Sequence, residues 1–386
     1  MHMFKKLTFR LAFFMTVLGL SAALPSCGGE DDEPVNPVVP EKPETPDEPL
    51  EPEPAPPPFQ LPAGFAKGAD VSWLTLQEAQ GEMFYSKTGE AGDAMQILRD
   101  DCGVNAIRLR VWVNPADGYC NPADVLAKAT RAKALRLPVM VDFHLSDSWA
   151  DPGKQTPPAA WAGQLPQDMA QSVKSHVTET LTSLKKAGVD VKWVQVGNET
   201  PSGMLWESGR VKDQNAGSFP LYLNAGYDAV KAVYPDAQVI VHLDRGQDKA
   251  LYKWFFNLIT SKGGKFDMIG MSLYPEKGTW PEQTDETAVD NCIDNIKDVS
   301  KRYGKPVMLC EIGMHYTRGS EAARVITKII TSTVVISGNQ SSSPLQGIFY
   351  WEPQASPGFN GGYNKGAFEN GRHNGALAPF SRFRSE

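Results

Sequence analysis

Eight short stretches of the chain are dense in β-branched, aromatic and other apolar residues: 65–73 (FAKGADVSW), 105–113 (NAIRLRVWV), 137–144 (LPVMVDFH), 191–199 (VKWVQVGNE), 237–244 (AQVIVHLD), 266–274 (FDMIGMSLY), 305–313 (KPVMLCEIG) and 346–353 (QGIFYWEP). Runs of this length and composition suit buried strands. Longer stretches lie between them, among them 121–135, 168–188 and 287–304. There apolar residues return every three or four positions, the period of a helix with one buried face. Gly188 and Gly304 stand where two of these helices need a C-cap. Strand and helix alternating about eight times over roughly 330 residues predicts an α/β fold, a (β/α)8 TIM barrel, in a single domain over 59–386. The competing architecture, an open doubly wound sheet, wants a glycine-rich phosphate loop after its first strand, and the turn after Trp73 has none.

A barrel carries a directional rule: its chemistry sits at the C-terminal ends of the strands. The second run brings Arg108, Arg110, Trp112 and Asn114 onto one face, and the third brings Asp142 and His144. The fourth ends on Asn198 and Glu199, the fifth on His242 and Asp244, the sixth on Ser272 and Tyr274. The seventh gives Glu311 and then His315, the eighth Trp351 and Glu352. A polar residue can simply end a strand. Seven polar ends out of eight converging on one rim make a site.

The first 58 residues are of another kind. Lys5, Lys6 and Arg10 precede an apolar run, 11–24, too short to span a bilayer comfortably. Residues 1–26 therefore read as a signal peptide. The run closes on Leu24-Pro25-Ser26-Cys27, which resembles a bacterial lipoprotein cleavage box, with Cys27 as the lipidated terminus. The acidic stretch 28–33 that follows resembles the export tag of surface lipoproteins in the Bacteroides group. Residues up to 58 are nearly all Pro, Glu, Asp and small side chains, an extended spacer that cannot bury a core. The expectation is an exported lipoprotein of the outer membrane and cell surface, with 27–58 as lipid anchor and tether. Part of the net charge of −7 belongs to that tether. No basic stripe marks a nucleic-acid partner. The four remaining cysteines, Cys102, Cys120, Cys292 and Cys310, allow three full pairings and match no zinc spacing.

Two carboxylates on non-adjacent strands, among Arg, His, Tyr, Asn and Trp, suit glycoside hydrolysis. One must hold a proton near neutral pH; the other must stay ionised, with Arg108, Arg110 and Tyr274 as candidate neighbours. Trp351 offers a flat face to a sugar ring, and Trp149, Trp161, Trp206 and Trp280 are loop aromatics able to extend it. "WVQVGNET" followed by "GMLW", "DFHLSDSWADPGKQTPPAAW", "RLRVWVNP", "MIGMSLYP" and "FYWEP" together resemble the motif set of the glycoside hydrolase family 53 endo-β-1,4-galactanases. The resemblance implies a retaining (β/α)8 hydrolase cleaving β-1,4-galactan side chains of pectin. It makes Glu199 the general acid/base, Glu311 the nucleophile, Asn198 a ligand of the sugar 2-hydroxyl and Trp351 the platform at the cleavage point. Asp142, His144, Ser146, Asp147, His242 and Asp244 would line the cleft, with Arg108, Arg110, Ser272 and Tyr274 also counted as substrate-binding.

The expected partners are β-1,4-galactan and galacto-oligosaccharides, met by a monomer whose membrane contact is the lipid anchor alone. No cofactor is expected for the chemistry. Bacterial relatives often hold a structural calcium after strand seven, but "MHYTRGSEAARV" lacks that alternating Asp, His and Asn pattern. Other readings are a mannanase or β-glucanase of the same clan, a non-catalytic glycan-binding barrel, and a metal-dependent hydrolase using His144, His242 and His315. The run 142–161 argues against the first and the two intact Glu residues against the second. The third lacks any ligand spacing.

Overall fold

Alternation along each apolar run decides which side chains enter the barrel. The structure, a computed structural model, describes residues 60–276, 285–334 and 343–385. The expected signal peptide, Cys27, the expected tether and Trp280 lie outside the described residues. Eight parallel strands close into a barrel: β1 (Ala66–Asp70), β2 (Ala106–Val111), β3 (Val139–Phe143), β4 (Val191–Val196), β5 (Gln238–Leu243), β6 (Met268–Leu273), β7 (Val307–Ile312) and β8 (Leu345–Tyr350). They neighbour one another in chain order and β8 pairs with β1. A helix follows each: α1 (Ala94–Asp100), α2 (Pro122–Ala134), α3 (Pro166–Lys186), α4 (Phe219–Val233), α5 (Lys249–Ser261), α6 (Asp285–Tyr303), α7 (Gly319–Thr333) and α8 (Ala378–Arg382). The starts follow local chemistry. Before α2, the Asn121 side chain accepts from the Asp124 N–H at 2.9 Å and Pro122 opens the first turn. Gly188 and Gly304, both at positive φ, follow α3 and α6.

Outward-facing residues such as Ile107, Leu109, Val141 and Val194 pack under the helices in one large core. Inward-facing Ala106, Met140, Trp193, Ile240, Met268, Met308 and Phe349 fill the lower barrel. Gly68 makes room for the Phe349 ring, which a Cβ there would meet at 2.1 Å. The upper barrel is polar. All four described cysteines are buried and free, so the pairings open to the sequence are not used.

β7 breaks the two-residue period. Leu309 pairs with Met271 and Glu311 with Ser272, so β7 carries one extra residue against β6. Met308 and Cys310 share the inner cluster, and strict alternation would turn Glu311 out toward the helices. The bulge re-aims it into the barrel mouth.

Candidate active site

Glu199 stands one turn beyond β4. Gly197 at φ +89° and Glu199 at φ +41° bend the chain there, and a Cβ on Gly197 would meet the Thr200 methyl at 2.8 Å. The turn carries Asn198 and Glu199 over the barrel mouth. Glu311 faces them from β7. A carboxylate oxygen of Glu199, one of Glu311 and a ring nitrogen of His242 all lie within 4.8 Å of one another.

The two carboxyls have unlike surroundings. Glu311 accepts from Arg108 Nη2 at 2.9 Å and from the Tyr274 hydroxyl at 2.8 Å. Glu199 accepts from the Ser272 hydroxyl at 2.6 Å. Burial, then the charges of Glu311 and Asp244, hold the Glu199 carboxyl well above the usual range. Burial raises Glu311 as well, but the Arg108 charge and the Tyr274 hydrogen bond oppose it. Glu199 is thus the carboxyl that keeps a proton.

Arg108, 1% exposed, is the hub. Besides Glu311 it donates to Gln195 at 2.8 Å, Asp70 at 2.7 Å, Asp142 at 2.9 Å and Asn198 at 3.1 Å. His242 Nε2 lies 2.8 Å from the Ser272 hydroxyl, and the Nδ1 of His242 lies 3.0 Å from the Asn198 side-chain oxygen. The same Nδ1 faces the Gln195 amide at 2.9 Å. His144 Nδ1 accepts from the Ala150 N–H at 3.1 Å, so Nε2–H is left to face Asp142 at 3.0 Å. Burial pushes both imidazoles below their ordinary pKa, so both are neutral.

A cavity of about 220 Å³ opens over the pair, lined by His144, Trp149, Ala150, Asp151, Asn198, Glu199, Tyr274, Glu311 and Trp351. Seven of the residues expected from the sequence therefore meet around one space: His144, Trp149, Asn198, Glu199, Tyr274, Glu311 and Trp351. The others are placed differently. Arg108, Asp142, His242 and Ser272 are buried supports beneath it, because their side chains are spent on one another and on the two carboxyls. Arg110 does not reach Glu311. Its guanidinium is packed by Trp149 at 4.2 Å and Trp112 at 4.8 Å and pairs with Glu352 at 3.5 Å. Ser146 is buried. Asp147 ties loops together, accepting from the Asn114 N–H at 2.9 Å and the Ala159 N–H at 2.8 Å. Asp244 pairs with Arg245 at 2.8 Å. Trp161 is a core residue and Trp206 stacks on Arg210 at 3.7 Å.

Several contributors escaped the sequence reading. Asp70, on β1, supplies the eighth strand end. Gln195 was legible as a polar residue in phase with Trp193 inside an apolar strand. Ala150 and Asp151 line the cavity from a loop, and nothing in their spacing marks them.

Neither alternative that calls for a metal fits the described residues. Both nitrogens of His242 are engaged, so the Glu199–His242–Glu311 group has no free imidazole to offer. His315 instead faces Thr317 Oγ1 at 2.9 Å. Beyond β7, where calcium was considered, Arg318 already pairs with Glu276, Asp285 and Glu321, and Lys365 with Glu276 at 3.0 Å, so cations of the chain occupy those carboxylates.

A closed parallel barrel whose mouth holds one proton-bearing and one cation-bound carboxyl beneath aromatic walls defines a class, the barrel glycoside hydrolases. The chain belongs to Glycosyl hydrolase family 53, whose pattern it matches over residues 66–381. An arabinogalactan endo-beta-1,4-galactanase of Thermothelomyces thermophilus is 31% identical over 306 residues, covering 74% of this chain and 89% of that one. A protein of the same description from Humicola insolens is 31% identical over 304 residues, covering 74% and 89%. Among solved structures, a fungal beta-1,4-galactanase superposes with TM-score 0.72 at 26% identity, covering 82% of this chain and 99% of its own. The Ignisphaera aggregans GH53 catalytic domain gives 0.73 at 28%, covering 84% and 98%.

Proposed function

We propose that the division of labour between the two carboxyls is the one their surroundings impose. The chain is a glycoside hydrolase, an endo-β-1,4-galactanase. Glu199 is its general acid/base and Glu311 its nucleophile. One observation carries the assignment: Arg108 and Tyr274 both donate to Glu311, whereas Glu199 accepts from a neutral hydroxyl, and the charges of Glu311 and Asp244 outweigh the more distant pull of Arg108 on it. Two carboxyls pushed apart in proton affinity are the acid and base of such a site. Their oxygens approach within 4.8 Å. So close an approach favours direct attack with retention over inversion, which sets the carboxyl groups about 6.5–9.5 Å apart to admit a water.

Glu311 attacks the anomeric carbon while Glu199 gives its proton to the departing oxygen, and a covalent galactosyl intermediate forms. Glu199, now a carboxylate, then draws a proton from the water that releases the sugar. Asn198, held by Arg108 and the Ala150 carbonyl, faces the cavity where a 2-hydroxyl would lie. Trp351 and Trp149 offer ring faces for a galactose. The same reading places the domain on the cell surface, supported by the apolar leader, the Cys27 box and the acidic Pro-rich spacer. Incubation with potato galactan, arabinan, mannan and cellulose tests the substrate: galactan alone should be cut, first to long fragments. Release of sugar from mannan or cellulose but not galactan would overturn it.

A further inference from the structure

Gln155 lies in the loop between β3 and α3 and is 2% exposed. Its amide nitrogen stands 2.9 Å from the Asn198 carbonyl, 3.1 Å from the Glu199 carbonyl and 3.1 Å from the Asp151 carbonyl. Its own backbone carbonyl accepts from the Trp206 N–H at 2.8 Å. One residue thereby joins the wall of the cavity at Asp151, the turn after β4 and the loop that leads to α4. An amide nitrogen has two hydrogens, so the three carbonyls share them.

The two carbonyls from Asn198 and Glu199 belong to the peptides on either side of the Glu199 Cα. That residue sits at φ +41°, a conformation that a non-glycine residue keeps only where its surroundings hold it. Among the described residues no other donor meets either carbonyl. Without Gln155 the Asn198 carbonyl would be left unsatisfied on a buried residue, and the turn would be free to relax toward ordinary φ. Such a rotation swings the Glu199 carboxyl off Ser272 and off the leaving oxygen. We propose that Gln155 is the positioning residue of the acid/base, clamping both peptides around Glu199 so that its proton points at the cleavage site.

The proposal rests on Glu199 being the acid, and its consequence is selective. Misaligning an acid harms substrates in proportion to their need for a proton. In Gln155→Met the donor is gone; in Gln155→Asn a buried amide remains but is withdrawn by one methylene, so the fold stays within reach if the Met variant unfolds. Each is compared with the parent by thermal unfolding and by kcat/KM on dinitrophenyl and phenyl β-galactobiosides. The phenyl substrate should lose about 10–100-fold, part of the roughly 10²–10⁴-fold that a well-placed general acid supplies, and the dinitrophenyl substrate less than about 3-fold. The alkaline limb of the phenyl pH profile, which reports the Glu199 proton, should move. Equal losses on both substrates with an unmoved limb, or no loss at all, would overturn the clamp. A parent that hydrolyses neither glycoside nor galactan would overturn the galactanase reading itself, and the clamp with it.

Discussion

At the scale of single residues, the site is an exercise in unequal neighbours. Glu311→Ala removes the nucleophile, so turnover should vanish on every substrate. Glu199→Ala should spare the first step on an aryl galactobioside with a good leaving group, and azide, which needs no base, should restore turnover as the β-galactosyl azide. Rescue of Glu311→Ala should give the α-azide instead. Product configuration by NMR decides, and the reverse pattern would exchange the roles. Glu352 supplies a pH test away from the chemistry. It is fully buried, and burial, then the Asp70 charge, push its carboxyl up to about 8 against the pull of Arg110. A folded pKa above the ordinary 4.5 means the folded chain holds an extra proton between those values, so this contribution is complete below about 4.5 and lost as pH rises through about 8. Glu352→Gln cannot ionise. The midpoint of the variant, relative to the parent, should therefore improve steadily from pH 4.5 to 8.5, and a pH-independent difference would refute the buried proton.

Elements set the aim of these side chains. β4 hands Glu199 over through a turn that needs Gly197 at positive φ, with the Thr200 methyl in the way of any Cβ. Gly197→Ala should cost about 1–3 kcal/mol in urea unfolding and should lower kcat beyond what stability explains, since the strained turn carries the acid. A variant with parental kcat would show that the turn tolerates another path. The strand runs, the period of the helices and the glycines after α3 and α6 were legible in the sequence because local periodicity and caps report local structure. The β7 bulge was not. Alternation from Met308 and Cys310 turns Glu311 outward, and only pairing against β6 inserts the extra residue that turns it in.

On the scale of the whole molecule, the barrel gathers ends of strands far apart in sequence. Arg108 meets Glu311 across 203 residues. The described residues include no helix long and apolar enough to cross a membrane. The lipid attachment proposed at Cys27 rests on the sequence of the leader and its cleavage box. Acyl chains on one cysteine hold a domain at the bilayer without a spanning helix. Cys27→Ala should leave activity on soluble galactan unchanged and move the protein out of the membrane fraction. Continued sedimentation with membranes would remove the lipid anchor from the reading.

The order of residues was enough for the number of strands and for a polar rim that includes Glu199 and Glu311, since each is written in local period and composition. It also carried the resemblance to the galactanases, borne by motifs spread from β2 to β8. It could not tell a ligand of the sugar from a support beneath it. Arg108, Arg110, Asp142, His144 and Ser272 all look alike as polar residues near a strand end. Depth in the barrel separates them: His144 reaches the cavity, Arg108, Asp142 and Ser272 lie under it, and Arg110 is walled behind Trp112 and Trp149. Which carboxyl keeps its proton is likewise a property of the assembled site. Burial and the charges of β2, β5 and β7 set it, and those groups become neighbours only when the barrel closes.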